Sequence, residues 1–470
     1  MIKRYLIVFI IIAAVSGSCK KMVAGLNNNP NQPTGADAPT ILPGVETADM
    51  LLQGGDVART ASTWSSYCTG EQLQSANIQV YNVVAGNFDA SWFLVYGAVL
   101  KNAVIMQQEA AAVNNLQLVG VGQLLEAHAI GTATDLWGDV PFTQAFNAQY
   151  ADPAYDAQAS VYTGVQSLLD SAIANMSSAS FTDFSTQEVF FAGKMPPFIQ
   201  AAYTLKARNY LHVHDYVSAL AAAQKGISTA ANNWLAPYAG TTKGNDNPWY
   251  QYQAIDRLGS LDGKGAYAVS LLNPASANYR GNSKTNETAR YNYLYSGTVP
   301  TLNVASGAFF NNKTSFPMAT YAENLLILAE CNDRKNGFAA GLAALNTYRA
   351  YLATGGYLGA SFVTPTNHQY DAYVTTDFDA GGIANKKSLS ADSALLANIL
   401  EERYLAFIGQ IEGFNDLRRT QKEPTVMVPV APTTGNQLPQ RFLYCQGEVN
   451  GNTSVPKPIP GLFAATPVNQ

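Results

Sequence analysis

Apolar residues recur every three or four positions along several stretches of the chain, the spacing that places them on one face of an α-helix. Residues 91–112 show it clearly, with apolar or small side chains at Trp92, Val95, Val99, Ala103 and Met106. The same spacing predicts further helices over 116–133, 160–176, 320–333, 338–352 and 391–411. Helical spacing is far commoner than alternation, so the fold class we expect is mainly α with little β.

Residues 197–230 contain two predicted helices, 198–213 and 216–229, which are joined at His214 and Asp215. A tetratricopeptide repeat has its packing residues at the positions held here by Tyr203, Ala207, Tyr210, Ala219 and Gly226. The two small alanines let the helices approach closely, while Tyr210 fills the space beside them. One such pair cannot bury its own apolar face, so several must stack. The next pair is predicted at 320–333 and 338–352.

Two long irregular stretches interrupt the helices, near 235–316 and 355–387, and we interpret them as insertions in the helical domain. Loops of this length are usually functional or disordered. The first is rich in tyrosine, whereas disordered segments are poor in aromatic residues, so we expect it to be ordered. Within it Tyr291, Tyr293 and Tyr295 alternate at strand spacing, which predicts a small hairpin or an ordered ligand loop.

The N-terminus has the features of an export signal. Lys3 and Arg4 precede an apolar run over 5–15, which is too short to span a bilayer but typical of a secretory signal peptide. Small residues then lead to Cys19, and this arrangement resembles a bacterial lipobox, although Ser16 stands where an apolar residue is usual. We predict a signal peptide over 1–18, a lipidated tether over 19–35 and one helical domain over 36–470. The alternative is a plain cleaved signal followed by a chance cysteine.

Composition narrows the classes of ligand. Only 13% of the 470 residues are charged, so the surface must depend on neutral polar side chains, which suit neutral polar ligands. The net charge is −5 and no basic cluster follows the N-terminus, which argues against nucleic-acid binding. Cys68, Cys331 and Cys445 are distant in sequence and odd in number, and we interpret them as small buried side chains rather than as a disulfide framework.

No pattern of an enzyme or of a metal site emerges from the sequence. The four histidines lack metal-ligand spacing, and neither a nucleophile elbow nor a phosphate-binding loop occurs, so we predict no cofactor, no metal and no catalytic residue. Glu402, Arg403, Asp416 and Arg419 are interpreted as a structural ion-pair cluster that fixes the last long helix. Glu401 and Glu402 are adjacent on that helix and point in different directions, unlike a pair of glycosidase carboxyls.

Aromatic side chains are the better candidates for ligand contact. A flat ring can cover the C–H face of a sugar while its polar atom bonds a hydroxyl. For any single aromatic the alternative is a place in the core, which we assign to Trp92, Trp137 and Tyr210. The candidate ligand-binding residues are Trp64, Tyr67, Trp249, Tyr250, Tyr252, Tyr293 and Tyr295.

Several segments, taken in their common order, resemble the SusD/RagB-like nutrient-binding lipoproteins of Gram-negative outer membranes, in a divergent branch. The most specific segment contains Glu402, Arg403, Asp416 and Arg419. The other segments are the lipobox with its tether, 92–102, 125–142, 206–227, 329–349 and 441–450.

The resemblance implies a fold of tetratricopeptide-like pairs, a lipid anchor at the outer membrane on the cell surface, and a SusC-like TonB-dependent transporter as partner. It also implies an oligosaccharide or peptide as ligand. Two other classes stay open, a surface glycan hydrolase and a helical scaffold that binds no small ligand.

Overall fold

The apolar periodicity of the sequence corresponds to helices in the structure, a computed structural model that describes residues 36–470. Residues 38–470 form one compact unit. The fold is mainly helical with little β structure, which confirms the predicted class. The predicted signal peptide, the lipidation site Cys19 and the tether lie outside the described residues.

Nine α-helices precede the first insertion in the part of the chain that the structure describes. In chain order they are α1 (Ala38–Gly54), α2 (Asp56–Trp64), α3 (Leu73–Gln79), α4 (Asp89–Phe93), α5 (Lys101–Ala112), α6 (Leu116–Trp137), α7 (Gln158–Met176), α8 (Met195–His212) and α9 (Tyr216–Ala223). A π-helical segment, Leu94–Leu100, joins α4 to α5 and makes them one continuous rod, close to the predicted helix over 91–112.

The remaining helices include short ones inside the insertions. They are α10 (Pro248–Tyr250), α11 (Tyr267–Leu272), α12 (Thr288–Leu294), α13 (Tyr321–Asn336), α14 (Phe338–Ala353), α15 (Ala391–Ala406), α16 (Glu412–Arg419) and α17 (Gln446–Gly451). A second π-helical segment, Gln251–Asp256, directly continues α10.

The strands are short and occur only as antiparallel pairs among residues 36–470. They are β1 (Thr69–Gly70), β2 (Val140–Pro141), β3 (Tyr155–Asp156), β4 (Trp234–Ala236), β5 (Leu261–Asp262), β6 (Thr285–Asn286), β7 (Tyr295–Ser296), β8 (Thr301–Leu302), β9 (Phe316–Ala319) and β10 (Gln369–Tyr370). The pairs are β1 with β5, β2 with β3, β4 with β9, β6 with β10, and β7 with β8.

Helix α6 is the centre of the main core. It packs against α1, α5, α7 and α8, and nearly all of its residues from Leu118 to Trp137 are buried. The predicted core residues Trp92 and Trp137 lie there, with ring centroids 5.3 Å apart in an edge-to-face arrangement. Tyr210, the third predicted core residue, is only half-buried beside the smaller cluster between α8 and α9.

The two predicted helical pairs are present. The pair α8–α9 matches the tetratricopeptide-like unit, and its α9 packs against α13, the first helix of the pair α13–α14. Ala207 and Ala219 are fully buried between these helices, as their small size predicts. Gly226 lies where an added Cβ would come within 2.3 Å of the Asn324 amide oxygen, so glycine permits the close approach.

Three local predictions were wrong in part. Tyr291 and Tyr293 belong to helix α12 rather than to a strand, whereas Tyr295 lies in the small hairpin β7–β8, which the alternation predicts. The Tyr291 and Tyr295 ring centroids lie 5.8 Å apart, with the ring planes tilted by 34°. The predicted helix over 391–411 is interrupted near Gly409, whose φ of 84° cannot continue a right-handed helix. The second helix of the tetratricopeptide-like unit ends at Ala223 rather than at 229.

The first insertion is ordered and the three cysteines of the helical domain are buried, as predicted. Residues 235–316 are ordered by the short elements α10 to α12 and β4 to β9. Cys68, Cys331 and Cys445 are free and buried. Among residues 36–470, no helix combines the length and the apolar character that crossing a bilayer would require.

Candidate functional site

Three adjoining depressions form one groove on the surface beside helix α2. The first shares Asp56, Arg59 and Tyr252 with the second, and it shares Gln74 and Asn87 with the third. The second and third have volumes of about 580 and 700 Å³, which is the size range of small-ligand sites. We call this surface the α2 groove. It is bounded mainly by α2, by residues 73–87 and by residues 243–256, with Leu94 and Leu261 also in its lining.

Both π-helical segments of the described residues border the α2 groove. Leu94, the first residue of one segment, lines it, and so do Gln251 and Tyr252, which begin the other. A π-helical turn inserts an extra residue and re-aims its neighbours, and such turns are frequent at functional sites. Their meeting at one groove marks this surface as a functional candidate.

Tyr252 is fixed at the wall of the α2 groove. Its hydroxyl lies 2.6 Å from the Ser75 hydroxyl, and the Arg59 guanidinium lies 4.4 Å from the ring centroid. Arg59 is held in turn by the Asp56 carboxylate and by the Pro248 carbonyl, to which it donates over 3.3 Å. The half-buried ring is therefore pre-oriented, which lowers the entropy lost when a ligand is bound.

Exposed side-chain amides line the same groove. Gln74, Asn77, Asn82 and Asn87 line the groove, and all four are exposed. The Asn87 side-chain oxygen accepts a hydrogen bond from the Val84 backbone N–H over 2.8 Å. Its NH₂ group is therefore available to donate to a ligand. Amides donate and accept, so a row of them matches the hydroxyls of a neutral solute.

The charges that line the groove nearly balance. Arg59 and Lys243 oppose Asp56, Asp246 and Asp256. Each exposed carboxylate already holds a neighbour: Asp56 pairs with Arg59, and Asp256 accepts from Gln251 over 2.9 Å. The groove thus presents little net charge and offers no uncommitted pair of carboxyls for acid–base chemistry.

Four of the predicted ligand residues are buried and make internal hydrogen bonds. Trp64 donates to the Ile78 carbonyl, Tyr67 to that of Tyr404, Trp249 to that of Gly409, and Tyr295 to that of Tyr67. Each is at most 1% exposed, so its ring presents no face to a solute in this conformation.

The other three predicted residues are half-buried, and the structure brings only Tyr252 into the groove. Tyr250 is the last residue of α10 and does not line the depressions, while Tyr293 packs against Phe309 and Phe362. Arg59, Ser75 and the exposed amides were not among the predicted ligand-binding residues. The amides could have been predicted, because residues 72–87 are unusually rich in glutamine and asparagine.

Asp135, His212 and Glu412 converge within the helical body, with ligand atoms within 4.8 Å of one another. His212 Nδ1 lies 2.8 Å from Asp135 and Nε2 lies 2.9 Å from Glu412, so both ring nitrogens donate and neither keeps a lone pair for a metal. Burial lowers the pKa of His212, but the two carboxylates outweigh it and raise the pKa to about 9. The group is a buried ion triad.

The acidic and basic residues singled out near the last long helix also form structural ion pairs. Arg403 donates to Asp416 over 2.8 and 3.1 Å, and Arg419 bonds both Asp416 and Glu330. Glu402 accepts from Arg280 over 2.7 Å and is fully buried. These groups hold α13, α15 and α16 together and are closed to solvent, as the ion-pair interpretation requires.

Comparison with known proteins identifies the family. A SusD-like family model, described as "Starch-binding associating with outer membrane", matches residues 44–445. No curated protein matches the chain.

Several solved structures share the fold. A SusD/RagB family protein from Bacteroides thetaiotaomicron is 20% identical, with a TM-score of 0.65, over 89% of this chain and 95% of that one. A SusD homolog from Bacteroides fragilis is 16% identical with a TM-score of 0.65, over 93% and 100%. A chitin-binding SusD homolog from Flavobacterium johnsoniae is 16% identical with a TM-score of 0.65, over 92% and 98%. Because the family model spans most of its length, this chain belongs to the SusD-like family.

Proposed function

We propose that this protein binds an oligosaccharide in the α2 groove and passes it unchanged to a SusC-like TonB-dependent transporter in the outer membrane. The observation on which this rests is the fixed Tyr252 ring among exposed amides in a groove of nearly balanced charge. An aromatic face covers the C–H surface of a sugar, and amides bond its hydroxyls. A groove without a strong field favours a neutral ligand over an ionic one.

The family context supports the remaining parts of the proposal. The family description names starch binding and association with the outer membrane, and one structural relative is titled a chitin-binding homolog. A lipid on Cys19 would anchor the protein at that membrane. We propose binding without turnover because Asp56 and Asp256, the exposed carboxylates in the groove, are engaged by Arg59 and Gln251.

Calorimetric titration of the full chain with malto- and chito-oligosaccharides of increasing length tests the binding site. We expect one of the two series to bind, and Tyr252→Ala to weaken that binding roughly tenfold or more, because a central aromatic contact is lost. Tyr250→Ala is the matched control, since that neighbouring ring does not line the groove. Equal affinity of Tyr252→Ala and the unaltered protein would remove the groove from the site.

Turnover is tested on the same mixtures. Chromatography after prolonged incubation should recover the oligosaccharides intact. Shortened products, if they appeared with the unaltered protein and disappeared with Asp56→Asn or Asp256→Asn, would establish the hydrolase instead.

A further inference from the structure

A second cleft opens on a different part of the surface, between α11, residues 277–282, residues 383–389, α15 and residues 426–429. Its volume is about 450 Å³, within the range of small-ligand sites. None of the residues that line it also lines the α2 groove. We call it the α15 cleft, and its lining mixes apolar side chains with asparagines, two lysines and Glu401.

The Glu401 carboxylate lines the α15 cleft and is held by a buried arginine. Arg280 donates from Nε to Glu401 Oε1 over 2.6 Å, and its Nη1 donates to Glu287 and Glu402 over 2.5 and 2.7 Å. Arg280 is buried, whereas the Glu401 side chain is 27% exposed. Its Oε2 has no hydrogen-bond partner among the described residues. Glu401 is therefore a fixed acceptor that faces solvent at the cleft.

Tyr267 lies beside this carboxylate. Its ring is half-buried and packs 5.9 Å from the Tyr404 ring. Burial, and then the charge of Glu401, raise the pKa of Tyr267 to about 12, so the phenol stays protonated at neutral pH and can donate. Across the cleft the exposed Asn278 amide supplies a further donor and acceptor.

The rim carries the exposed Lys386 and Lys387, but the Glu401 carboxylate disfavours an anion bound next to it. Lys386 is exposed and donates to the Tyr279 carbonyl over 2.9 Å, so it braces the rim. A bound anion would come close to the Glu401 carboxylate, and like charges at short range repel. A hydroxyl has no such penalty, and it makes a strong bond to a carboxylate because the acceptor is ionised.

We propose that the α15 cleft is a second sugar subsite, in which Glu401 accepts from a ligand hydroxyl, Tyr267 bonds a neighbouring oxygen and the apolar wall covers the ring. This inference rests on the proposed function, because the ligand is again an oligosaccharide. Leu261 lines the α2 groove and Tyr267 lines the α15 cleft, six residues further along the chain. Their Cα atoms are thus at most about 22 Å apart.

The proximity has two consequences. Two short sugars occupy the α2 groove and the α15 cleft separately. One sufficiently long chain engages both surfaces and binds more tightly, because the second contact is intramolecular.

Titration of the full chain with the di- to heptasaccharides of the malto and chito series tests the second subsite. For the shortest binding sugar we expect two sites per protein, and only one in Glu401→Gln or Tyr267→Ala. For the longest sugar we expect Glu401→Gln to lose roughly tenfold in affinity, the usual effect of one hydrogen bond to a charged group. We expect Tyr267→Ala to weaken binding less, because it removes a hydrogen bond between neutral groups. Glu109→Gln is the matched control, since Glu109 is exposed on α5 and borders neither surface.

Deuterium exchange gives a second readout that does not depend on a variant's fold. Saturation with the binding sugar should protect residues 267–282 and 383–401 as well as 73–87. One site per protein, with no protection of 267–282 and unchanged affinity in both variants, would overturn the second subsite and leave the α2 groove intact. Loss of binding in Tyr267→Ala with none in Tyr252→Ala would instead refute the α2 groove. Failure of every sugar to bind would refute both.

Discussion

His212 is a buried imidazolium that is hydrogen-bonded to two carboxylates. Its ring bridges Asp135 on α6 and Glu412 at the start of α16, and Arg208 lies 3.7 Å from Glu412 on the opposite side. Burial of these charges costs desolvation free energy, which their mutual pairing and hydrogen bonds offset. Removal of one partner would leave a buried charge whose desolvation is no longer compensated. A single histidine therefore links α6, α8 and α16.

The pKa of about 9 for His212 predicts how stability depends on pH. An unfolded histidine titrates near 6.5, so the folded protein holds this proton more tightly. The contribution of protonated His212 to the free energy of unfolding is fully present below about pH 6.5 and is lost as the pH rises through 9. Its size is roughly 3 kcal/mol at most. Urea denaturation from pH 6 to pH 10 should show the decline.

A variant separates His212 from other groups that titrate in the same range. His212→Gln should be less stable at pH 6, and its stability should change far less between pH 7 and 10. His214→Asn is the matched control, because His214 is exposed with φ 60°, a conformation that asparagine tolerates. If His212→Gln kept the full alkaline decline, His212 would not be its source.

At the scale of elements, Glu330 is the point at which three helices meet. It lies on α13, accepts from Arg419 of α16 over 2.7 and 2.6 Å and from Arg334 over 2.9 Å, and has Arg403 of α15 3.4 Å away. Burial would raise the pKa of Glu330, but the arginines outweigh it and hold that pKa well below its usual range. The carboxylate thus remains charged at any ordinary pH.

Glu330→Ala should destabilise the protein strongly. It leaves buried guanidinium groups without a counter-charge, which typically costs about 3–5 kcal/mol. Glu423→Ala is the comparison, because Glu423 also pairs with Arg334 but is 29% exposed, where an ion pair contributes under about 1 kcal/mol. Urea denaturation measures both variants. Similar midpoints for the two would show that burial of the cluster does not set its contribution.

These elements also show which parts of the fold are readable from sequence. Helices such as α7 and α13 were predicted because one apolar stripe faces the core. Helix α1 was not predicted, because its buried face includes Glu46, Asp49 and Gln53, which bond to partners distant in sequence such as His128 and Thr132. A polar residue in the core breaks the periodicity, and only the tertiary partner explains it.

The candidate site was less predictable than the fold, for a related reason. A tyrosine or tryptophan suits a core and a sugar equally well, so Trp249 and Tyr252 are indistinguishable by residue type. What separates them is the partner: Trp249 donates to the Gly409 carbonyl in the interior, while Tyr252 meets Ser75 and Arg59 at the surface. Those partners are distant in sequence for both rings, and spacing alone contains no information about them.

At the scale of the whole molecule, the proposed function requires attachment to the outer membrane. The family description includes association with that membrane, and Cys19 in its lipobox-like sequence is the candidate for attachment. Each buried CH₂ of a lipid contributes about 0.8 kcal/mol, so one chain binds reversibly while the two chains of a diacylglycerol hold firmly. In the proposed function, the Cys19 thiol therefore determines whether the protein is anchored or released.

Cys19→Ala should release the protein from the membrane without changing its fold. In a Gram-negative host grown with radiolabelled palmitate, the unaltered protein should incorporate label and sediment with outer membranes, while Cys19→Ala should be unlabelled and soluble. Cys331→Ala is the control, because that thiol is buried between helices and cannot accept a lipid in the folded state. The released protein should still bind the oligosaccharide with unchanged affinity, since the residues that line both proposed sites lie within 51–429. Membrane retention of unlabelled Cys19→Ala would mean that something other than a lipid holds the protein there, and the anchor in the proposal would have to be replaced by a protein contact.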